Sequence, residues 1–362
     1  MTLHIFNPEH DIALASGLTN FTAPHAGRQL RHDLGWLPAL WAADGDTVLV
    51  DDVAFATKKL RLRRKLLAGK NIRLQSPAKQ TSLSIDHVEP WGWDPALKAR
   101  LIRMGMDNGL LPSDQQLAGI RSLSHRRTAA GLLTSIRTQL DGVYRLTGES
   151  TECTTLEDIS KHLALLGRVV LKAPWSSSGR GVKFTEAQLS PSQEGWIKNV
   201  LKQQGSVMVE PYYKKVKDFG MEFSSNGKGG ISYEGLSLFH TANGAYTGNL
   251  LATETYKERE LERYLPMAML RKVRHSICQL LTNTMGTTYE GPFGVDMMIV
   301  RRTENDNQLW LHPCVELNLR RTMGHAALSL TRLVNPGADD DIVRVMRIVC
   351  EDHQYKLRIE RP

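Results

Sequence analysis

Residues 310–320 read WLHPCVELNLR. Glu316, Asn318 and Arg320 alternate with Val315, Leu317 and Leu319. The two-residue period of a strand puts the polar three on one face and the apolar three beneath. A carboxylate, an amide oxygen and a guanidinium in one row suit a hard cation such as Mg2+, which takes one or two carboxylates together with phosphate oxygens. Arg320 would then meet an anion beside the metal. Taken alone, the same row describes an edge strand with a solvated polar face. Residues 291–300, GPFGVDMMIV, favour the first reading, because Asp296 is the single charge in what is otherwise a core-strand run. A lone carboxylate there is costly unless it is paired or coordinates a metal. Twenty residues separate it from Glu316, enough for a hairpin that sets Asp296 beside Glu316 and Asn318.

Two upstream segments carry complementary chemistry. Residues 169–182, VVLKAPWSSSGRGV, are a buried-strand run ending at Lys172, followed by a flexible loop of Ser176, Ser177, Ser178, Gly179, Arg180 and Gly181. Backbone N–H groups in such a loop can cradle phosphate oxygens, and the hydroxyls, Lys172 and Arg180 add charge-assisted hydrogen bonds. It is neither a Walker A sequence nor a G-x-G-x-x-G loop, and a plain hairpin loop is the competing description. Residues 207–213, VMVEPYY, run from a strand into a proline-stiffened connection, with Asp218 eight residues beyond Glu210. Glu210 could accept from an exocyclic amine while the backbone about Tyr212 reads a purine edge. An ordinary surface turn fits this segment as well.

The remainder bounds the classes. The chain has 362 residues, 41% hydrophobic and 23% charged, long enough for two or three domains. This composition excludes a disordered chain, a collagen-like repeat and a disulfide scaffold. Cys153, Cys278, Cys314 and Cys350 are scattered, as expected of reduced thiols in a cytosolic protein. The N-terminus lacks a basic-then-apolar signal region, and no apolar run approaches the ~18 residues of a membrane span. A soluble, cytoplasmic protein is expected. The net charge of +8 suits an anionic partner: nucleic acid, membrane phosphate or a small phosphorylated ligand.

The basic run at 58–65, KKLRLRRK, lacks neighbouring aromatics for base stacking, which favours a solvated helix with one apolar edge over a nucleic-acid patch. Leu3–Phe6, a helical face about Trp36–Trp41 and Thr47–Val50 read as the start of a βαβ unit. A polar boundary spans 106–124. Helices are expected at Ser124–Leu140, Leu156–Leu166 and, as one long segment, Glu258–Asn283.

Taken in order, the four chemistry-bearing segments resemble the ATP-grasp superfamily from about Leu123 to Leu330. The resemblance implies an α/β protein, α+β in its ATP-grasp part: a leading βαβ domain (1–120), an ATP-grasp domain (121–340) and a C-terminal segment (341–362) packed on the body. It implies ATP and Mg2+, with Mn2+ an alternative. Arg126, or equally Arg127, stands where the family usually has its first ATP lysine, an exchange that alters hydrogen-bond geometry. By the same resemblance, Lys172 matches the second lysine and Ser176–Gly181 the phosphate-covering loop. Glu210 and Tyr212 fall at the adenine hinge, and Asp218 is a candidate ribose contact. Asp296, Glu316 and Asn318 match the metal ligands, and Arg320, with Arg180, would stabilise the transferring phosphoryl group.

The implied activity joins a small-molecule carboxylate to an amine through an acyl-phosphate. The alternatives are a small-molecule kinase on the same scaffold, or a non-catalytic nucleotide- or nucleic-acid-binding protein. No membrane partner is expected and nucleic acid is disfavoured. The oligomeric state stays open, a homodimer among the options. Asn7, Glu9, His10 and Asp11 follow the first strand, where α/β sheets place ligands, though a helix cap explains them equally. HTANGAYTGN (240–249) with His240, Asn243, Tyr246 and Asn249 could line an acceptor pocket, but a hairpin turn is favoured. Arg321 and His325 could bind a carboxylate, and Cys314 reads as an inert thiol.

Overall fold

The computed structural model describes residues 1–67, 69–77, 84–176, 181–242, 245–303 and 306–362. The N-terminal region alternates strands and helices: β1 (Thr2–Ile5), α1 (His10–Ser16), α2 (His25–Leu34), β2 (Thr47–Leu49), α3 (Val53–Arg61), β3 (Arg73–Gln75), β4 (His87–Pro90) and α4 (Pro95–Arg103). The strands form a parallel sheet in the order β3-β2-β1-β4. The chain steps from β1 to β2 on one side and returns to β4 on the other. The C-terminal ends of β1 and β4 therefore meet at a switch point, where such sheets form a crevice. The basic run falls on α3 and the turn after it. Leu60 is buried, while Arg63 stacks on Trp36 at 4.7 Å and donates to the Leu357 carbonyl at 3.2 Å. That segment is a packing helix with a charged outer face.

After α5 (Asp114–Leu123) and α6 (Arg126–Gln139) comes a small lobe: β5 (Thr151–Cys153), α7 (Leu156–Leu166), β6 (Arg168–Lys172), β7 (Val182–Glu186), α8 (Pro191–Gln204) and β8 (Val207–Pro211). Its strands pair antiparallel in the order β5-β8-β6-β7. Val169, Leu171, Val207 and Val209 share a buried cluster with Ile159, Leu163 and Ile197. By strand alternation, Lys172 and Glu210 occupy the opposite face.

The large lobe contains β9 (Lys214–Asn226), β10 (Ile231–Ser237), β11 (Phe239–Ala242), β12 (Ala245–Leu251), α9 (Glu254–Glu262), α10 (Met267–Met285), β13 (Glu290–Arg301), β14 (Trp310–Asn318), α11 (Met323–Val334), β15 (Arg344–Glu351) and β16 (Gln354–Glu360). One antiparallel sheet runs β10-β9-β13-β14 and another β11-β12-β15-β16. The C-terminal hairpin thus completes a sheet begun a hundred residues earlier. It also reaches the N-terminal region, where the Tyr355 N–H donates to Asp33 at 2.8 Å. The single helix expected over Glu258–Asn283 is two helices. Pro266 caps the second, and the residue before a proline is disfavoured in helical geometry.

The main core lies beneath the β9–β13–β14 sheet. Phe219, Phe223, Phe293, Val295 and Met297 pack there with residues of α6 and α10, and Phe223 stacks on Phe293 at 5.3 Å. This packing fixes the parity of β13, so that Gly294 and Asp296 occupy the other face. Phe293→Ala should cost about 3–5 kcal/mol, read as a lowered denaturant midpoint of unfolding.

Candidate functional site

Across β13 and β14 the register pairs Gly294 with Asn318 and Asp296 with Glu316, then jumps to Met298 opposite His312. Residues 313–315 of β14 thus stand against one residue of β13, a bulge that contains Pro313, which has no N–H for the ladder. Asn318 Nδ2 donates to Asp296 Oδ2 at 3.1 Å. Burial, then the charges of Glu316 and Glu222, push the Asp296 carboxyl up to about 8, against the pull of Arg320 and the Asn318 bond. Glu222 is answered from elsewhere: Thr322 Oγ1 donates to it at 2.8 Å, and His325 Nδ1 lies 3.0 Å away. Gly324 is required there, since a Cβ would stand 1.8 Å from Glu222 Oε1. Among the described residues no three His, Cys, Asp or Glu side chains gather into a metal cage. Two carboxylates and an amide instead fit a cation that keeps phosphate and water oxygens, and such a cation would favour the ionised form of the half-buried Asp296.

Cations approach this row from both sides. His125 caps α6, its Nδ1 accepting from the Arg127 N–H at 3.0 Å. Arg126 is thereby set at the helix start, where its Nε donates to the Ala173 carbonyl at 3.0 Å and its Nη2 reaches Ser176 Oγ at 3.2 Å and Glu316 Oε1 at 2.9 Å. One buried guanidinium therefore ties the small lobe to β14. Arg127, at the other end of the same pair, faces Glu152 at 3.8 Å. Lys172 is buried and bonded to Glu210 Oε2 at 2.6 Å, while Ser150 donates to the other oxygen at 3.2 Å. Ser177, Ser178, Gly179 and Arg180 lie outside the described residues. Gly181 packs against Ser176 so closely that a Cβ would stand 2.3 Å from that of the serine.

The other side of the row is held by Arg320. Its Nε donates to both oxygens of Asp11 at 2.9 and 3.0 Å, its Nη2 to Asn318 Oδ1 at 3.1 Å, and its Nη1 to the Arg321 carbonyl at 3.2 Å. Burial opposes the charge on Arg320, but Asp11 first, then Glu316 and Asp296, hold its pKa above the ordinary value. Burial likewise pushes the Asp11 carboxyl up, yet Arg320, His10 and Arg126 keep it below the usual range.

No family model matches the chain, and no curated protein matches it by sequence. Solved structures do. N5-carboxyaminoimidazole synthetase from Staphylococcus aureus, complexed with ADP, superposes with a TM-score of 0.50 at 14% identity, over 97% of this chain and 83% of its own. Biotin carboxylase from Campylobacter jejuni, in a β-γ-ATP complex, gives 0.51 at 12% identity, over 97% and 76%. The fold is the ATP-grasp fold.

Within this ATP-grasp fold the remaining sequence candidates divide. Asp218, opposite Met298, accepts from Lys215 at 2.6 Å and from Thr241 at 2.7 Å. Tyr212 packs its ring under the Arg168 guanidinium at 3.6 Å and beside Phe184. Tyr213 is the residue whose ring meets His312, edge-on at 6.1 Å. Sequence reasoning does not single out His312. It is buried with no hydrogen-bond partner on Nδ1 among the described residues, and burial, with Glu210 opposing and Lys172 reinforcing, pushes it down to about 4. Its strand parity with Glu316 is the signal available. Gly148 admits the ring, since a Cβ would stand 2.6 Å from it. Cys314 is buried and its thiol is pushed up, chiefly by burial.

The segment 240–249 is the β11–β12 hairpin, with Asn249 buried against Ser237; Asn243 lies outside the described residues. Arg321 pairs with Glu89 and stacks on Trp41 at 4.6 Å. A cavity of about 690 Å3 opens between the end of β4 and the large sheet, lined among others by Trp91, Trp93, Tyr289, Arg321, His325 and Ser224. Ser224 pairs with Pro292, four residues along β13 from Asp296.

A carboxyl raised from 3.8 to about 8 keeps in the folded state a proton that the unfolded chain releases. Its contribution to stability is full below about pH 4 and is lost as pH rises towards about 8. Metal-free protein should therefore lose stability across that window. Asp296→Asn should remove that part of the slope and raise Tm above the wild type by about 3 °C or more near pH 8.5, measured by thermal unfolding in the presence of a chelator.

Proposed function

We propose that the chain is an ATP-dependent ligase that activates a carboxylate as its acyl-phosphate and passes the acyl group to an amine. The observation that supports this most is the Asp296–Glu316–Asn318 row, flanked by Arg126 and Lys172 on one side and Arg320 on the other, inside an ATP-grasp fold. In this reading Asp296, Glu316 and Asn318 hold Mg2+, which when bound neutralises charge on the phosphate oxygens.

The chain's own residues supply positioning and further neutralisation, the main demands of phosphoryl transfer. Lys172, Arg126 and Ser176, with Ser177, Ser178, Gly179, Gly181 and Arg180, bind the triphosphate. Glu210 and the backbone about Tyr212, with Tyr213 and the neutral His312 ring, face the base. Asp218 takes the ribose. Arg320 stabilises the negative charge of the γ-phosphate and then of the acyl-phosphate. A carboxylate oxygen of the substrate takes the γ-phosphoryl group and releases ADP. The amine then displaces inorganic phosphate and gives up a proton. The 690 Å3 cavity has the size of a small-molecule site and lies along the same strands, so the acceptor enters there, between aromatic walls and Arg321.

Purified protein supplied with Mg2+, ATP and panels of amino acids, peptides and dicarboxylates should release ADP, and hydroxylamine should trap a hydroxamate. A phosphorylated alcohol with no hydroxamate would identify a kinase instead. Glu316→Gln and Lys172→Met should each lower turnover by about 100-fold or more while the protein stays folded. Unchanged turnover in Glu316→Gln would refute the ligase reading.

A further inference from the structure

The Asn7–Asp11 segment is built with more care than a helix cap needs. Asn7 Nδ2 donates to the Gly92 carbonyl at 2.8 Å and to Asp94 at 3.2 Å, and the Gly92 N–H returns to Asn7 Oδ1 at 3.3 Å. These bonds lock the turn after β1 to the turn after β4. The His10 ring is buried 3.5 Å from Asp94 and fills the place where a Cβ on Gly92 would stand, 2.6 Å from the ring. Asp11, fixed by this bracing, points out of the first domain and meets Arg320. A recess of about 20 Å3, the size of a water, lies among His10, Asp11, Ser176, Glu316 and Asn318. The N-terminal turn thus borders the candidate metal row.

Arg320 has two sets of anions to choose between. Its field is dominated by Asp11 and then by Glu316 and Asp296. Arg126 already meets Glu316 at 2.9 Å. Without Asp11, the long flexible guanidinium of Arg320 would be free to settle on the Asp296 and Glu316 carboxyls. With Asp11 present, Arg320 is occupied on its Nε edge by both Asp11 oxygens.

We propose that Asp11 is a positioning residue: it holds Arg320 off the Asp296–Glu316 pair, so that these carboxylates stay open to a divalent cation. The inference rests on the metal-site reading above and adds to it a function for the first domain. In this role Asp11 acts through Arg320.

Mn2+ titrated in the presence of ADP, followed by electron paramagnetic resonance, tests this without any turnover. Asp11→Ala should weaken Mn2+ binding about tenfold or more, the usual effect of removing an outer partner of a metal site. Asp11→Asn, which keeps the size and loses the charge, should do the same, while binding of ADP without metal stays as in the wild type. The decisive protein is Asp11→Ala/Arg320→Gln. With the competing guanidinium gone, Mn2+ affinity should return towards the wild-type value, a strong coupling between the two positions. A purely structural Asp11 gives a double variant no better than the single one, and that result overturns the proposal. Wild-type Mn2+ affinity in both single variants also overturns it. If the unmutated protein itself takes up no Mn2+ with ADP, the metal reading fails first and this inference falls with it.

Discussion

A half-buried carboxylate in the middle of a sheet is the constraint around which this molecule is arranged. Asp296 sits on β13 with Glu316 directly opposite, and nothing within the two strands neutralises the pair. The answering charges come from distant parts of the chain. Arg126 arrives from the start of α6, and Arg320 follows β14 with Asp11 behind it from the first domain. Each of these groups bridges two structural units. Arg126 joins the small lobe to the large sheet, and Arg320 joins the large sheet to the N-terminal turn. Removing the carboxylate partner of Arg126 or Arg320 leaves a partly buried cation uncompensated. Electrostatics at the row and the docking of the three units are therefore a single problem.

The apolar side of the same sheet makes that arrangement possible. Phe219, Phe223, Phe293 and Val295 are fully buried against α6 and α10. A one-residue slip of β13 would send Phe293 to the polar face and Asp296 into the core. The register that seats the carboxylates is thus enforced by aromatic packing on the reverse side. Gly294 and Gly324 keep the polar face narrow, because a side chain at either would collide with Glu222. Close approach of Glu222 to β13 explains why its charge adds to the field at Asp296 although its own partners are Thr322 and His325.

Parity made the row legible in the sequence. Glu316, Asn318 and Arg320 are two apart, and a single charge in GPFGVDMMIV is conspicuous, so their shared face follows from strand geometry alone. The strand ending at Lys172 and the parallel N-terminal sheet were legible for the same reason, as local apolar runs with clear punctuation. What sequence reasoning does not reach is set by non-local geometry. The bulge at 313–315 shifts the pairing and puts His312 opposite Met298, which no periodic pattern announces. The choice between Tyr212 and Tyr213 depends on which ring Arg168 captures. Asp11 and Arg320 are 309 residues apart, and only the closed fold shows that they are partners. The helix break at Pro266 was written in the sequence, since proline cannot continue a helix interior.

The pairing of the cations bears on how such a site stays folded before a nucleotide arrives. Lys172 and Glu210 have side-chain exposures of 8% and 11% and lie 2.6 Å apart, so each would be costly to leave alone. Arg126 is likewise satisfied by Glu316, and Arg320 by Asp11. A site that assembled these positive charges without acids among them would repel itself and oppose closure of the lobes. With the acids present, the site is already compact and its donors are already aimed. In the proposed reaction an incoming polyphosphate would exchange one anion for another around Lys172 and leave Glu210 to accept from a neutral donor. The excess of eight positive charges over the whole chain does not make this arrangement; it is made by Lys172, Arg126 and Arg320, each held against a carboxylate partner.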